Sequence, residues 1–543
     1  MTFIINPASI AAPLDDAHQR LVQARFARAL WERRLDVWTD DDATQEKIGQ
    51  RLGWLDAIDF STAHFDRLRT FTYWLKQDAF TDIVLLGMGG SSLAPEVLRL
   101  AIGVAPGCPR FRVLDSVDPD AVRDAFENAG TTLFILASKS GSTIEPNVMA
   151  AEAQRRVRAA GVDDVGSRFI AITDEGTALH QRATTERFRD VFINPSDIGG
   201  RYSALSLFGV VPAALMGIEL DPFMSAARRM SAACQHEDPR VNPGLALGAL
   251  MAAGALSGRD KLTLRLPPQL ESLGLWIEQL VAESTGKHGT GVVPIAGEPS
   301  DTPAGEDRLV VAVGPSDAVM TLDMPDAMAL GAEFFRWEFA TATAGFLLDV
   351  NPFDEPNVQQ AKDATRALLE TYKTEHRLPV PEPHAAHDGV RLTVSAAAQE
   401  ALDGRDAATF LRVLTRGDYF GVLAYLPPDD EPFADVLQSF RSDVGRRSRC
   451  ATMLGYGPRY LHSTGQLHKG GPNSGVFVIV TANADSDVEI PGEPYSFGVL
   501  EMAQALGDVQ SLDRASRRAL HVHLPRRDPD LLRKTTDLLL TAL

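Results

Sequence analysis

Within the stretch Thr131 to Val148, TTLFILASKSGSTIEPNV, an apolar run ending at Ala137 meets four hydroxyl side chains and one lysine packed into six residues. The uncharged run, Leu133 to Ala137, reads as a buried parallel strand, and the residues after the cluster can start a helix. A strand-to-helix turn aims backbone N–H groups and the positive end of a helix dipole at one point. Ser138, Lys139, Ser140, Ser142 and Thr143 add donors and a charge at that point. This arrangement suits a phosphate; the plainer alternative is a helix cap, which needs only one hydroxyl.

Three further stretches hold residues of chemical interest. The turn Gly87 to Ser92, GMGGSS, precedes a helix, and the next strand ends in Asp115, close to the dinucleotide fingerprint. Ser92 replaces its last glycine, so a loop against a sugar or phosphate, a structural turn, and a nicotinamide or flavin site all stay open. Arg201 stands beside Gly199 and Gly200, where backbone can approach a ligand. An arginine fork stays protonated and holds developing negative charge, although a lone arginine can equally be salt-bridged. In Gln279 to Lys287, a Leu- and Trp-containing helix ends near Glu283. The helix dipole disfavours an acid there. An apolar pocket would raise the pKa of that carboxyl toward neutrality, as a general base requires; otherwise Glu283 is a surface residue of a loop.

These residues need a scaffold, and from Asp82 the chain alternates strand, turn and helix. Candidate strands are Ile83 to Leu86, Phe111 to Leu114, Leu133 to Leu136 and Phe169 to Ile172. The pattern predicts a parallel sheet with ligands at the carboxyl ends of its strands. A second alternating block follows Asp221, with strands at Lys261 to Leu266 and Leu309 to Val313 and helices at Asn242 to Ser257, Leu273 to Ala282 and Ala327 to Leu347. A third α/β region has strands near Phe420 to Leu426 and Val476 to Val480. The predicted units are an amphipathic helical region, 1–75, two α/β domains, 76–220 and 221–374, a linker, 375–395, and a C-terminal α/β region, 396–543.

Composition narrows the class. A chain of 543 residues, 45% hydrophobic and 23% charged, is that of a globular protein with several cores. Cys108, Cys234 and Cys450 form no CxxC pair, which predicts neither a disulfide framework nor a thiolate metal site. The N-terminal segment makes a poor secretion signal and no apolar run reaches membrane length, so the expectation is a cytoplasmic chain. A net charge of -19 disfavours nucleic acid and anionic membranes as partners. An anionic substrate must then be held by local donors.

The stretches GMGGSSLAP, SKSGSTIEP, GGRYS, QLVAESTGK and NPFDEPNVQQAK occur in that order between about Asp82 and Lys362. Together they resemble the phosphoglucose isomerase family, and more particularly the isomerase half of bifunctional transaldolase/glucose-6-phosphate isomerases; no transaldolase barrel is visible. The resemblance implies two doubly wound sugar isomerase (SIS) domains, a homodimer, no cofactor and no metal. It implies exchange of glucose 6-phosphate and fructose 6-phosphate through a cis-enediolate; the alternatives are a non-catalytic sugar-phosphate binder and an isomerase that also takes mannose 6-phosphate. By resemblance, Ser138, Lys139, Ser140 and Thr143 bind the phosphate, Gly90, Ser91 and Gln279 meet the sugar, Arg201 stabilises the enediolate, Glu283 is the base and Lys362 contacts the sugar near its ring oxygen. Glu355 departs from the glutamine of many relatives. The family's ring-opening histidine is missing from its usual place after Gly297-Glu298-Pro299. Its nearest likeness is in RYLHSTGQLHKGG, Arg459 to Gly471, where His468 is the expected residue, delivered in relatives across a subunit interface.

Overall fold

The computed structural model describes residues 3–7, 10–299, 302–303, 305–428 and 430–543. Three sheets organise it. The first runs, in spatial order, Arg110–Leu114, Asp82–Leu86, Thr132–Ala137, Phe169–Asp174 and Asp190–Asn194, all parallel. The chain therefore starts inside the sheet, steps to one side and then crosses to the other. The switch lies between Asp82–Leu86 and Thr132–Ala137, the strands that carry GMGGSS and SKSGST at their carboxyl ends. Asp190–Asn194, DVFIN, was not among the expected strands; a polar residue at each end and partial burial conceal it from a search for apolar runs.

The second sheet has the order Phe3–Ile5, Met320–Leu322, Arg308–Val313, Lys261–Arg265 and Val293–Ile295. Phe3–Ile5 pairs antiparallel with Met320–Leu322, so the N-terminal stretch is not wholly helical. Strands of three residues leave almost no periodicity to read. Beside this sheet the apolar helix Pro243–Leu256 is started by Asn242, whose Oδ1 accepts from Gly244 N and Leu245 N at 3.0 Å each. It packs on the helix Leu330–Leu347 closely enough that a Cβ on Gly248 would lie 2.5 Å from Ala340 O. The N-terminal helix Ala11–Ala24 buries Leu14 and Leu21 in the same core.

The third sheet has the order Ala385–His387, Val390–Val394, Arg518–Leu524, Gly475–Ala482, Tyr419–Tyr425 and Ala451–Tyr456; its last four strands are parallel. The helix Val358–Glu375 lies against the helix Phe497–Arg514, where a Cβ on Gly507 would come 2.8 Å from Thr365 Oγ1. Leu368, Leu369, Leu500 and Leu506 join Val84 and Leu136 of the first sheet in one core. Each such side chain, fully buried, contributes about 1.5–3 kcal/mol, against about 0–1 for an exposed ion pair. Apolar burial thus fastens the C-terminal region across the first sheet, which lets that region reach the site.

Candidate active site

The turns at the first sheet's switch point pack with no room for Cβ atoms. Gly89 has φ +54°, and a Cβ there would sit 2.7 Å from His462 O and 2.8 Å from Gln279 Nε2; one on Gly90 would overlap Gly200 O. These glycines bring GMGGSS against the Arg201 turn and the C-terminal region. Asp115, which a dinucleotide site would need for a ribose, is gripped by Arg459 through two 2.8 Å bonds. Gly90 and Ser91 line the cavity that results.

In the second turn, Ser138 Oγ accepts from Gly141 N at 3.1 Å, and Asn147 Nδ2 donates to Gly141 O at 3.0 Å and Thr143 O at 2.8 Å. Gly141, at φ +69°, is pressed against Leu179 N. Thr143 occupies the N-cap of the helix Ile144–Ala159 without a side-chain capping bond, and it lines the cavity. Ser140 and Ser142 hydroxyls are 2.8 Å apart and exposed. Lys139 differs from expectation: its Nζ is ion-paired with Asp174 and donates to Ser196 O at 2.7 Å. Its charge is largely committed to that pair.

Opposite this turn the helix Leu273–Thr285 presents Gln279 and Glu283, one helical turn apart on one face. Glu283 Oε1 is 2.9 Å from Arg201 Nη1, and Gln279 Nε2 donates to Glu283 Oε2 at 3.2 Å and to His462 O at 2.7 Å. Arg201 Nη2 reaches Glu355 Oε2 at 3.1 Å and Asp354 O at 2.8 Å. The side chains of Arg201 and Glu283 are 4% and 12% exposed, that of Glu355 46%. Burial pushes the Glu283 carboxyl above its usual range; Arg201 opposes the shift and Glu355 adds to it. Burial works against the charge on Arg201, but Glu283 and then Glu355 outweigh it and hold the guanidinium protonated. Lys287 steadies the loop that bears Glu355, bonding Asn351 O, Asp354 O and Asp354 Oδ1 at 2.6–2.7 Å.

The histidine at the site is His462. It lines the cavity, and its Nε2 is 2.9 Å from Glu145 Oε1, which also accepts from Gln504 Nε2 at 2.7 Å. Burial tends to raise the Glu145 carboxyl, yet the charge of His462 and its hydrogen bond bring it below its ordinary value. His468 corrects the sequence expectation. It lies on the short helix Gly465–Gly470, whose inner side faces the third sheet, with its ring 6.4, 6.0 and 4.7 Å from those of Tyr419, Tyr460 and Phe477. Neither ring nitrogen has a hydrogen-bond partner among the described residues, and burial pushes the imidazole well below its usual pKa. It forms no part of the cavity wall. His462 stood in the same RYLHSTGQLHKGG segment, and Glu145 in SKSGSTIEP. Only their meeting was illegible, because it joins the first sheet to the C-terminal region of the same chain.

Ser138, Lys139, Ser140, Thr143, Arg201, Gln279, Glu283, Glu355, Lys362 and His462 thus surround one cavity of about 440 Å³. Lys362 reaches it, exposed, from the helix Val358–Glu375. Among the described residues no group of three His, Cys, Asp or Glu side chains is placed to hold a metal ion, and no helix is long and apolar enough to cross a membrane.

The phosphoglucose isomerase family model matches residues 66–303. The curated glucose-6-phosphate isomerase of Synechococcus sp. (strain CC9605) is 27% identical over 399 residues, covering 62% of this chain and 73% of its own length. That of Prochlorococcus marinus (strain MIT 9313) is 35% identical over 214 residues, covering 38% and 39%. Among solved structures, a hypothetical protein from Thermus thermophilus superposes with TM-score 0.57 at 24% identity, over 67% of this chain and 99% of its own. A glucose-6-phosphate isomerase from Chlamydia trachomatis gives 0.53 at 16%, over 68% and 89%; both likenesses concern the fold. Fold and motifs together define a sugar-phosphate aldose–ketose isomerase. Within that class, residues 66–303 carry the match to the phosphoglucose isomerase family.

Proposed function

We propose that this chain interconverts glucose 6-phosphate and fructose 6-phosphate through a cis-enediolate. The observation that carries the reading is a dry carboxylate, Glu283, bonded to a buried arginine and facing a hydroxyl-rich helix N-terminus across one cavity. The Ser138 to Thr143 turn grips the phosphate with hydroxyls and N–H groups, which fixes the far end of the sugar and sets its reacting carbons beside Glu283. Glu283 takes the C2 proton of the open-chain aldose and returns it to C1. The negative charge that builds on the enediolate oxygens is met by Arg201, already desolvated and oriented before reaction. Gln279 offers the substrate hydroxyls its Oε1, which has no partner among the described residues.

Ring opening falls to His462 in place of His468. With Glu145 held ionised, His462 Nε2 is the donor of their bond, and Nδ1 is left to exchange a proton at the sugar. Lys362 faces the same end. The reading is tested by a coupled assay for fructose 6-phosphate isomerisation with wild type and Glu283→Gln. Turnover by the wild type and a collapse of kcat in the variant are expected. A variant that turns over normally removes the mechanism, and an inactive wild type that still binds the sugar phosphate favours a non-catalytic binder.

A further inference from the structure

The third sheet has a crevice of its own. Its parallel strands lie in the spatial order Arg518–Leu524, Gly475–Ala482, Tyr419–Tyr425, Ala451–Tyr456. The chain therefore leaves Tyr419–Tyr425 for the neighbour on one side and returns to the neighbour on the other. That reversal is a topological switch point, where open α/β sheets bind ligands beyond the carboxyl ends of their strands. A cavity of about 310 Å³ lies there, walled by Tyr425, Thr481 and Asn483 at the strand ends and by Asp487, Val499 and Glu501 beside them.

Glu501 is only 5% exposed, and its Oε1 has no hydrogen-bond partner among the described residues. The nearest guanidinium, that of Arg527, stands 4.0 Å from the other oxygen and is committed to Asp118 and Asp120. Burial, reinforced by the charge of Asp118, pushes the Glu501 carboxyl well above its usual range. A neutral carboxyl both donates and accepts, which matches a hydroxyl better than an ammonium ion.

Among the described residues that wall the crevice there is no lysine or arginine to hold an anion. The N-terminus of the helix Phe497–Arg514 is already filled, with Asp487 Oδ1 accepting from Gly498 N at 2.8 Å and Ser496 Oγ from Val499 N at 3.3 Å. Other polar groups on the wall suit hydroxyls: the Thr481 hydroxyl lies 2.8 Å from His521 Nε2 and 2.9 Å from His523 Nδ1, and Asn483 Nδ2 donates to Pro525 O at 3.1 Å, leaving its carbonyl as an acceptor.

We propose that this crevice binds a neutral polyhydroxylated molecule, a single sugar ring or an open-chain polyol, anchored on the Glu501 carboxyl and separate from the isomerase cavity. Glucose and sorbitol serve as probes, titrated into the full-length protein and followed by saturation-transfer NMR. Saturable binding of at least one probe is expected. It should weaken about tenfold in Glu501→Leu, as loss of one hydrogen bond to a buried group implies, and vanish in Val499→Trp, where an indole at a half-buried wall position fills the cavity. Absence of saturable binding of either probe, or binding equally tight in both variants, overturns the assignment. The probes carry no phosphate, so neither outcome touches the Glu283→Gln test of the isomerase reading.

Discussion

The first and third sheets use the same winding, a leading strand flanked by the second on one side and the third on the other, and each opens a crevice at its switch point. Their chemistry is opposite. In the first sheet the turn after the strand Thr132–Ala137 is Ser-Lys-Ser-Gly-Ser-Thr, and it leaves a helix N-terminus without a side-chain cap. In the third sheet the corresponding helix is capped by Ser496 and Asp487, and a buried glutamate takes the wall. The winding supplies the place for a ligand, and the residues on the turns decide its charge. The proposed chemistry needs more again: Arg201, Glu283 and His462 are brought to the wall of the first crevice from three separate stretches of the chain.

That contrast can be broken at several points. The largest effect is expected from Glu283→Gln, about a 10³-fold loss of kcat, the usual range for a general base; a loss under tenfold would erase the distinction between a reactive and a merely binding crevice. Next, His462→Ala should cost about 10²-fold on ring-form glucose 6-phosphate. It should cost little on 5-deoxyfructose 6-phosphate, which stays open-chain, and equal losses on both would take ring opening away from His462. Ser140→Ala should raise KM about tenfold with kcat nearly unchanged, as removal of one hydrogen bond to a phosphate implies. A loss confined to kcat would contradict a turn that only grips.

Smaller is the shift from Glu355→Gln. Glu283 works as a base only when ionised, so activity falls as pH drops through its pKa. Glu355 adds to the upward shift of that carboxyl, behind burial. Removing its charge should move the acidic limb of the kcat/KM profile to lower pH, and a limb that stays put or moves up would detach Glu355 from the base. Smallest of all, Val499→Trp should leave isomerase kcat and KM unchanged; a clear change in either would mean that the two crevices are not independent.

Much of the first sheet could be read from sequence, since four of its five strands, the turns after them and the start of a helix beyond Thr143 obey local rules. The short edge strands could not, because Phe3–Ile5 and Val293–Ile295 are strands only by virtue of their neighbours. Glu283 was legible as an acid set where a helix dipole disfavours it. Its partnership with both Arg201 and Glu355 was not. Between two histidines six positions apart, sequence favoured His468 for its likeness to a motif.

The sequence by itself determined the hydroxyl-rich strand-to-helix turn, the acid near the end of a helix and the alternating α/β plan, because hydroxyl clusters, glycine turns and apolar runs act within a few residues of themselves. Tertiary structure alone decided which histidine serves the site, that Lys139 is held by Asp174, and that the C-terminal region closes over the first sheet. Those outcomes depend on which face of a short helix turns toward the aromatic core around Phe477, and on the packing of the helix Val358–Glu375 against Phe497–Arg514. Contacts between parts of the chain this far apart leave no local pattern to read.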